Sequence, residues 1–319
     1  MTTPDSPQQD GASSGTPSDN ATATESPAAE RLKAIAQCDR TREEYATFRP
    51  AGFYPVRHVL VQNPEDPRPG TLGRMVSGRK HRALLLYLLL LWSWRWLKDS
   101  REPLASDVWL RALTAEDVTG SLTWSQSALS RAWRDLEHFG LIEDRVRDGR
   151  LLKVVPRRED SLAAYRAPAG ERDRHNKYFT LPNTFWIDKY FAKLKLPGLA
   201  MLLIIAKETS GGPERPIPFN RVAEWYGISS RTAQNGVAEL EALGLVHKRY
   251  EVKDAPLSKT GSTTWIHYSL TGPFSYEARM LAQQAAQIAR TKNSNPVPNP
   301  PPASSANTPA VDAKPAVAG

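Results

Sequence analysis

An internal repeat limits what this chain of 319 residues can fold into. Residues 124–141 (WSQSALSRAWRDLEHFGL) align with residues 228–245 (ISSRTAQNGVAELEALGL) at a constant offset of 104, and Ser, Leu, Glu, Gly and Leu coincide at five places. A repeat of this kind predicts two copies of one supersecondary unit. Any fold assigned to the chain must therefore contain two similar modules.

Each copy has the pattern of one helix with defined ends. Ser125 and Ser229 can accept a hydrogen bond from a free amide of the first turn, which predicts a helix start. Gly140 and Gly244 follow the last turn, where glycine adopts a left-handed conformation at little cost. Between these ends, apolar residues recur at spacings of four, three and three, which places them on one helix face. They are Leu129, Trp133, Leu136 and Phe139 in the first copy, and Ala233, Val237, Leu240 and Leu243 in the second.

A two-stranded hairpin is predicted after each helix. In the first copy, Asp148-Gly149 lies between two apolar runs, which is a strong signal for a hairpin turn. The second hairpin is expected to be longer and less regular, around the Gly-Ser-Thr sequence at 261–263. His247 and His267 are expected to face each other across it.

A capped helix, a glycine stop and a hairpin form the C-terminal half of a winged helix, whose N-terminal half consists of a buried helix and a short supporting helix. The second copy supplies both in Leu199 to Lys207 and Phe219 to Tyr226. In the first copy the apolar run from Ala83 to Trp92 predicts the buried helix. Its supporting helix is either Leu104 to Leu113 or Ala115 to Leu122, and the constant offset favours the latter.

The predicted fold class is therefore mainly α with small β-hairpin wings (α+β), arranged as two tandem winged-helix domains between disordered N- and C-terminal tails. Both tails are polar and cannot bury enough apolar surface to order themselves. The predicted segments are an acidic tail at 1–28, a lead helix and extended segment at 29–74, winged-helix domain 1 at 75–158, a linker at 159–176, winged-helix domain 2 at 177–274, a C-terminal helix at 275–290 and a Pro-rich tail at 291–319.

Charge and cysteine content restrict the partners and the compartment. The net charge is +8, and residues 31–290 alone carry +12, which suits a polyanionic partner such as nucleic acid or an anionic membrane surface. The longest apolar run falls short of the roughly 20 residues that span a membrane, so we expect no membrane partner. A single cysteine, Cys38, excludes an internal disulfide and favours a reducing cytoplasm.

Signatures of catalysis are missing from the sequence, and we expect no enzyme activity, metal or cofactor. No G-x-x-x-x-G-K-[ST] phosphate loop occurs. The six histidines include no pair separated by one, three or four residues, as a metal-dependent nuclease would require. Cys38 has no histidine nearby in sequence to activate it as a nucleophile.

The outer faces of the two repeated helices carry the candidate DNA contacts. A winged helix places the N-terminal half of its third helix in the major groove, where Arg pairs with guanine and Asn or Gln with adenine. Neither face carries an acidic residue before Asp135 or Glu239. The candidates are Gln126, Ser127, Ser130, Arg131 and Arg134 in the first helix, and Ser230, Arg231, Gln234 and Asn235 in the second.

Cations in the hairpins are predicted to contact phosphates or enter a minor groove. These are Arg145, Arg147 and Arg150 in the first hairpin, and Lys248 and Arg249 in the second. The stretch from Ser77 to Arg82 (SGRKHR) leaves two alternatives open, contact with backbone phosphates or simple solvation. The amphipathic segments 30–48 and 276–288 also leave two, contact between protomers of a homodimer or packing against their own domains.

Residues 177–270, with the opening YFTLPNTFW, the helix LPGLAMLLII and the core WYGISSRTAQNGVAELEALGLV, resemble helix-turn-helix proteins of actinobacterial chromosomes, plasmids and integrated elements. In broader outline, tandem winged helices resemble bacterial plasmid replication initiators, and single units resemble marR-type regulators. The resemblance implies DNA binding. The extra segment at 104–113 fits neither pattern.

The predicted function is sequence-specific binding of double-stranded DNA, in the cytoplasm and associated with the nucleoid. Transcriptional regulation is the first hypothesis, and replication initiation of a plasmid or integrated mobile element is the second. A third hypothesis, from another class, is a protein-interaction adaptor whose winged helices bind partner proteins. Undetectable binding to random duplex DNA at low salt would favour the adaptor.

Overall fold

The structure is a computed structural model that describes residues 26–64, 69–100, 103–148, 151–168 and 173–294. Most of the two predicted tails lies outside these residues. Their inner ends are helical, since the first helix begins at Pro27 and the last ends at Ser294.

Eleven α-helices and eight strands occur in the described part of the chain, which is a mixed α+β fold with small antiparallel sheets. The helices are α1 (Pro27–Thr47), α2 (Thr71–Ser77), α3 (His81–Ser100), α4 (Ser106–Leu113), α5 (Gln126–His138), α6 (Thr184–Ile187), α7 (Tyr190–Lys193), α8 (Leu196–Glu208), α9 (Val222–Tyr226), α10 (Ser230–Ala242) and α11 (Tyr276–Ser294). The strands are β1 (Phe53–Arg57), β2 (Leu104–Ala105), β3 (Val146–Asp148), β4 (Leu151–Lys153), β5 (Tyr178–Pro182), β6 (Arg215–Pro216), β7 (Val246–Asp254) and β8 (Ser262–Leu270).

Two segments share one order of elements. Unit one (residues 81–153) runs α3, β2, α4, α5, β3, β4, and unit two (residues 196–270) runs α8, β6, α9, α10, β7, β8. In each unit the short strand pairs with the second hairpin strand, which gives the orders β2-β4-β3 and β6-β8-β7. The repeat in the sequence thus corresponds to a repeat of topology.

The predicted supporting helix at Ala115 to Leu122 is wrong. The helix between β2 and α5 is α4, which corresponds to the alternative at 104–113, and the chain then forms turns instead of a further helix. Gly120 adopts a φ of 78° within these turns, which ends any helical path there. The constant offset of 104 did not predict the position of this helix, because the chain between the second and third helices is longer in unit one than in unit two.

The second hairpin is more regular than predicted. Strands β7 and β8 form nine consecutive antiparallel pairs from Val246↔Leu270 to Asp254↔Ser262. The register pairs His267 with Arg249 and His247 with Ser269, so the predicted pairing of the two histidines is wrong. In the first hairpin, Asp148 pairs with Leu151, and the two residues between them lie outside the described ones.

A frame of α1, α2, β1 and β5 joins the two units. Strands β1 and β5 pair antiparallel, from Phe53↔Pro182 to Arg57↔Tyr178. Helix α1 is fixed to unit one by the buried Arg42, whose guanidinium donates to the carbonyl oxygens of Ala112 and Thr114 at 3.1 and 2.8 Å. These are free carbonyls at the end of α4, where a positive charge is favourable.

Helix α2 lies directly against unit two at two glycines. A Cβ on Gly73 would collide with the carbonyl oxygen of Tyr226 and come within 3.0 Å of the Cα of Gly227. Gly227 itself has a φ of 68° and makes the turn between α9 and α10. The buried apolar residues form one core that extends through both units and the frame.

The segment predicted as a linker begins inside this core. The Glu159 carboxylate is fully buried and accepts hydrogen bonds from the backbone amide of Arg57 at 3.1 Å and from its guanidinium at 2.9 Å. Burial raises the pKa of Glu159, and the charge of Arg57 opposes that shift. Because a buried ion pair left with one partner is strongly destabilising, this contact fixes the start of the segment to β1.

Candidate nucleic-acid interface

Helices α5 and α10, the third helix of unit one and of unit two, have the ends that the sequence predicted. The hydroxyl of Ser125 accepts a hydrogen bond from the amide of Ala128 at 3.2 Å, and that of Ser229 from the amide of Thr232 at 3.1 Å. Gly140 and Gly244 follow with φ values of 67° and 65°. The capping prediction is confirmed in both copies.

The inner and outer faces of these helices are also as predicted. The apolar positions of both copies are buried, except that Leu243 is partly exposed. Ser130 is half-buried, and the other predicted contacts on the two helices are exposed: Gln126, Ser127, Arg131, Arg134, Ser230, Arg231, Gln234 and Asn235. Their role in binding DNA stays a prediction.

In unit two, the outer face of α10 is open. The side chains of Arg231, Gln234 and Asn235 make no hydrogen bond or ion pair within the described part of the protein. Ser230 differs, because its hydroxyl donates to the carbonyl oxygen of Phe219 at 2.7 Å and so holds the chain that enters α9. Ser230 therefore has a structural contact that the sequence did not predict.

In unit one, the start of α5 is engaged by an acidic residue. The Gln126 amide donates to the carboxylate of Asp107 on α4 at 2.6 Å, and Asp107 is exposed. Arg131 donates to the backbone oxygen of Ser127 at 3.3 Å, whereas Arg134 makes no such contact with the described residues. The sequence missed Asp107 because its helix was expected further along the chain.

The repeated glutamate ties each third helix to its hairpin. Glu137 accepts two hydrogen bonds from the guanidinium of Arg145, at 2.5 and 3.0 Å. Its counterpart in unit two, Glu241, pairs with the ammonium of Lys248 at 2.7 Å. This explains the one repeated residue for which the sequence offered no role.

Ion pairs therefore hold three of the five hairpin cations that were predicted to contact DNA: Arg145, Lys248 and Arg249. Arg249 also pairs with an acid of its own unit, donating to Glu214 at 2.9 and 3.0 Å, and these hydrogen bonds lower the pKa of Glu214. The side chain of Arg147, and Arg150 as a whole, lie outside the described residues. Arg145, Lys248 and Arg249 can reach a phosphate only by exchanging a carboxylate partner for it.

The first acidic residue of each third helix points to the helix that opens the unit. Asp135 pairs with the ammonium of Lys80, the residue before α3, at 2.7 Å. Glu239 accepts from the backbone amides of Lys195 and Gly198, at 2.6 and 3.1 Å, and so caps α8. Carboxylates are favourable at a helix N-terminus. Both acids are thereby turned away from the outer face.

Residues 77–82, called the basic turn below, lead from the end of α2 into the first residues of α3 and connect the starts of α5 and α10. At one end, the Ser77 hydroxyl donates to the carbonyl oxygen of Gly227, just before α10. At the other, Arg82 donates to the carbonyl oxygen of Thr123, just before α5, at 3.0 Å. Arg79 lies between them, exposed and with a φ of 55° that non-glycine residues rarely adopt. Sequence reasoning left the role of this turn open.

Within the described residues, no helix combines the length and apolar character that crossing a bilayer requires. Comparison of the chain with protein-family models, with curated proteins and with solved structures finds no match to any of them. The functional argument therefore depends on the geometry of the two helices and the basic turn.

Proposed function

We propose that the protein binds double-stranded DNA in a sequence-specific manner, through two winged-helix units. The observation that carries this proposal is the outer face of α10, where Arg231, Gln234 and Asn235 are exposed without partners among the described residues. Arg makes two hydrogen bonds to guanine, and Asn and Gln make two to adenine, in a groove wide enough for one helix. Both units share one order of elements, with a short strand paired to the hairpin that follows the third helix, and this repeat supports the same assignment.

The basic turn supplies the phosphate contacts of this proposal. Arg79 and Arg82 lie between the starts of α5 and α10, so a duplex that met both helices would carry its backbone past them. Contacts of this kind give affinity that does not depend on sequence and that falls as salt rises. We infer that Arg79 contributes affinity and that α10 contributes most of the sequence preference.

Arg231→Ala tests the base-reading role. Against a site selected from a random duplex pool, we expect a loss of about 1–3 kcal/mol in binding free energy and a relaxed preference at one base pair. Fluorescence anisotropy with the selected duplex and its single-base variants measures both. Arg40→Ala, in an exposed position of α1, is the control and should bind as the parent protein does. Equal losses on every sequence would contradict the assignment.

Arg79→Ala tests the phosphate-contact role. We expect weaker binding to all duplexes alike and a salt dependence whose slope falls by about 0.9, the value for one phosphate contact. Titrations at several salt concentrations measure the slope. A change of sequence preference, or no change at all, would remove Arg79 from the interface.

We further propose that this binding serves transcriptional control on the nucleoid. Footprinting on genomic DNA should then show protection over promoters. Protection of tandem direct repeats beside a replication origin would instead support initiation of a mobile element. Absence of duplex binding at low salt would contradict both and favour a protein partner.

A further inference from the structure

A large cleft lies away from the third helices, between the C-terminal half of α3, strand β1, residues 165–168 and helix α11. Its volume is about 1050 Å³. Five of its described lining residues carry a positive charge, and the only acid among them is Asp99. The cations are Arg49, Arg95, Lys98, Arg166 and Arg290. A concave surface with this excess of one charge concentrates anions.

Arg49 is a cation of this cleft that has no acidic partner among the described residues. Its guanidinium donates only to backbone carbonyls of α3, those of Trp92 and Leu91 at 2.6 and 2.7 Å. Within the described structure no carboxylate pairs with it, and the neighbouring Arg95 is a second cation. Burial lowers the pKa of Arg49, and the charge of Arg95 lowers it further. A half-buried cation beside another cation gains most from an anion that enters the cleft.

The same cleft has an aromatic wall. Trp94 and Tyr165 meet edge to face with their ring centroids 6.4 Å apart, and Tyr178 and Phe53 line the side formed by the frame. The Tyr165 ring is held in turn by the guanidinium of the buried Arg57, 5.3 Å from its centroid. Aromatic faces of this kind stack on planar rings such as nucleic-acid bases.

We propose that this cleft binds a small nucleotide, with its phosphates on Arg49, Arg95 and Lys98 and its base against Trp94 and Tyr165. Phosphate alone would leave the aromatic wall unused, and an uncharged aromatic ligand would leave the cations unused. The proposal is independent of DNA binding, since none of these residues belongs to α5, α10 or the basic turn.

Calorimetric titration of the full chain tests it with four probes: ATP, GTP, adenosine and inorganic triphosphate. At least one of the two nucleotides should bind saturably, and adenosine and triphosphate should each bind at least about tenfold more weakly than that nucleotide, because each loses half of the contacts. Triphosphate binding as tightly as the nucleotides would reduce the cleft to a polyanion site and overturn the proposal.

Variants locate the binding within the cleft. Arg95→Gln combined with Lys98→Gln should weaken the nucleotide by about tenfold or more, and Trp94→Leu should weaken the nucleotide but not triphosphate. Arg49 is kept, since it holds α3, and Arg40→Gln on α1 is the matched control with no expected effect. Nucleotide binding that survives the double change would overturn the assignment. A second combination of results would also overturn it: the parent protein binds no nucleotide, and the double variant loses affinity for duplex DNA. The cleft would then belong to the DNA interface.

Discussion

Units one and two reach the same arrangement of elements with different packing. In unit two, α8 and α10 approach at glycines, and a Cβ on Gly236 would collide with the carbonyl oxygen of Pro197 and lie 2.6 Å from Met201 Cγ. Unit one has Ala132 at the equivalent position, buried without difficulty. In unit one the rings of Trp109 on α4 and Trp133 on α5 meet edge to face at 5.2 Å, so large aromatic side chains pack against its third helix. The element order therefore does not require one particular core.

Polar contacts at the ends of the third helix are what the units share. Asp135 and Glu239 bind the residue before the helix that opens each unit, α3 or α8. Glu137 and Glu241 pair with a cation of the hairpin. Side-chain caps and ion pairs of this kind are each modest in energy, but they select one geometry among several that a hydrophobic core alone would permit. The repeat thus preserves the contacts that orient the outer face.

The outer faces themselves differ. The start of α5 is engaged by Asp107 through Gln126, whereas the matching turns of α10 carry three polar side chains without such a partner among the described residues. On the proposed function, a carboxylate at this position would repel an approaching DNA phosphate. On the proposed function, unit two therefore contributes more to base recognition than unit one, and Arg131→Ala should cost less sequence preference than Arg231→Ala.

The largest expected effect distinguishes the helix packing of the two units. Gly236→Ala should lower the free energy of unfolding by about 3 kcal/mol, since the added methyl group meets backbone that cannot move freely. The reciprocal change in unit one, Ala132→Gly, should cost about 1 kcal/mol, mainly through helix propensity. Urea unfolding followed by circular dichroism measures both. Equal costs would mean that the two helix pairs do not differ in their closeness of approach.

Acid provides the next test, because a half-buried histidine, His81, lies at the start of unit one and another, His58, directly follows β1. Burial lowers the pKa of His81 and of His58 to about 4. The unfolded chain, with a histidine pKa of roughly 6.5, therefore binds protons that the folded chain does not, and stability falls as the pH drops from about 6.5 to 4. Each histidine should account for about 1–2 kcal/mol of that loss by pH 5.

His81→Gln should remove its share of the pH dependence, with the exposed His138→Gln as the control. Urea titrations at pH 7.5 and pH 5 measure the difference. Because one core joins the units, we expect a single unfolding transition that shifts as a whole. Two transitions, of which only one responds to His81→Gln, would show that the units fold separately.

Local signals in the sequence predicted the parts of the structure that local physics determines. Ser125, Ser229, Gly140 and Gly244 act within one helical turn, and the apolar spacing depends only on the helical period, so these predictions are confirmed. The position of the supporting helix depends on the length of chain before α5, and the partners across the second hairpin depend on how β7 and β8 align. Local signals fix neither, and both the helix at Ala115 to Leu122 and the pairing of His247 with His267 were wrong. The role of Glu137 and the approach of Asp107 to Gln126 were likewise invisible, since each involves a partner whose position only the fold sets.

The smallest expected effect concerns the shared glutamates. Glu137→Gln and Glu241→Gln should each lower the free energy of unfolding by only about 0.5 kcal/mol, because the ion pairs are partly solvated. Each change also releases a cation at the hairpin, so on the proposed function the salt dependence of duplex binding should steepen by about 0.9 per released contact. Glu43→Gln, exposed on α1, controls for the loss of one negative charge. If only one of the two variants steepened the slope, only that hairpin would lie close enough to the duplex to use its cation, and the difference between the units would extend from their helix packing to their hairpins.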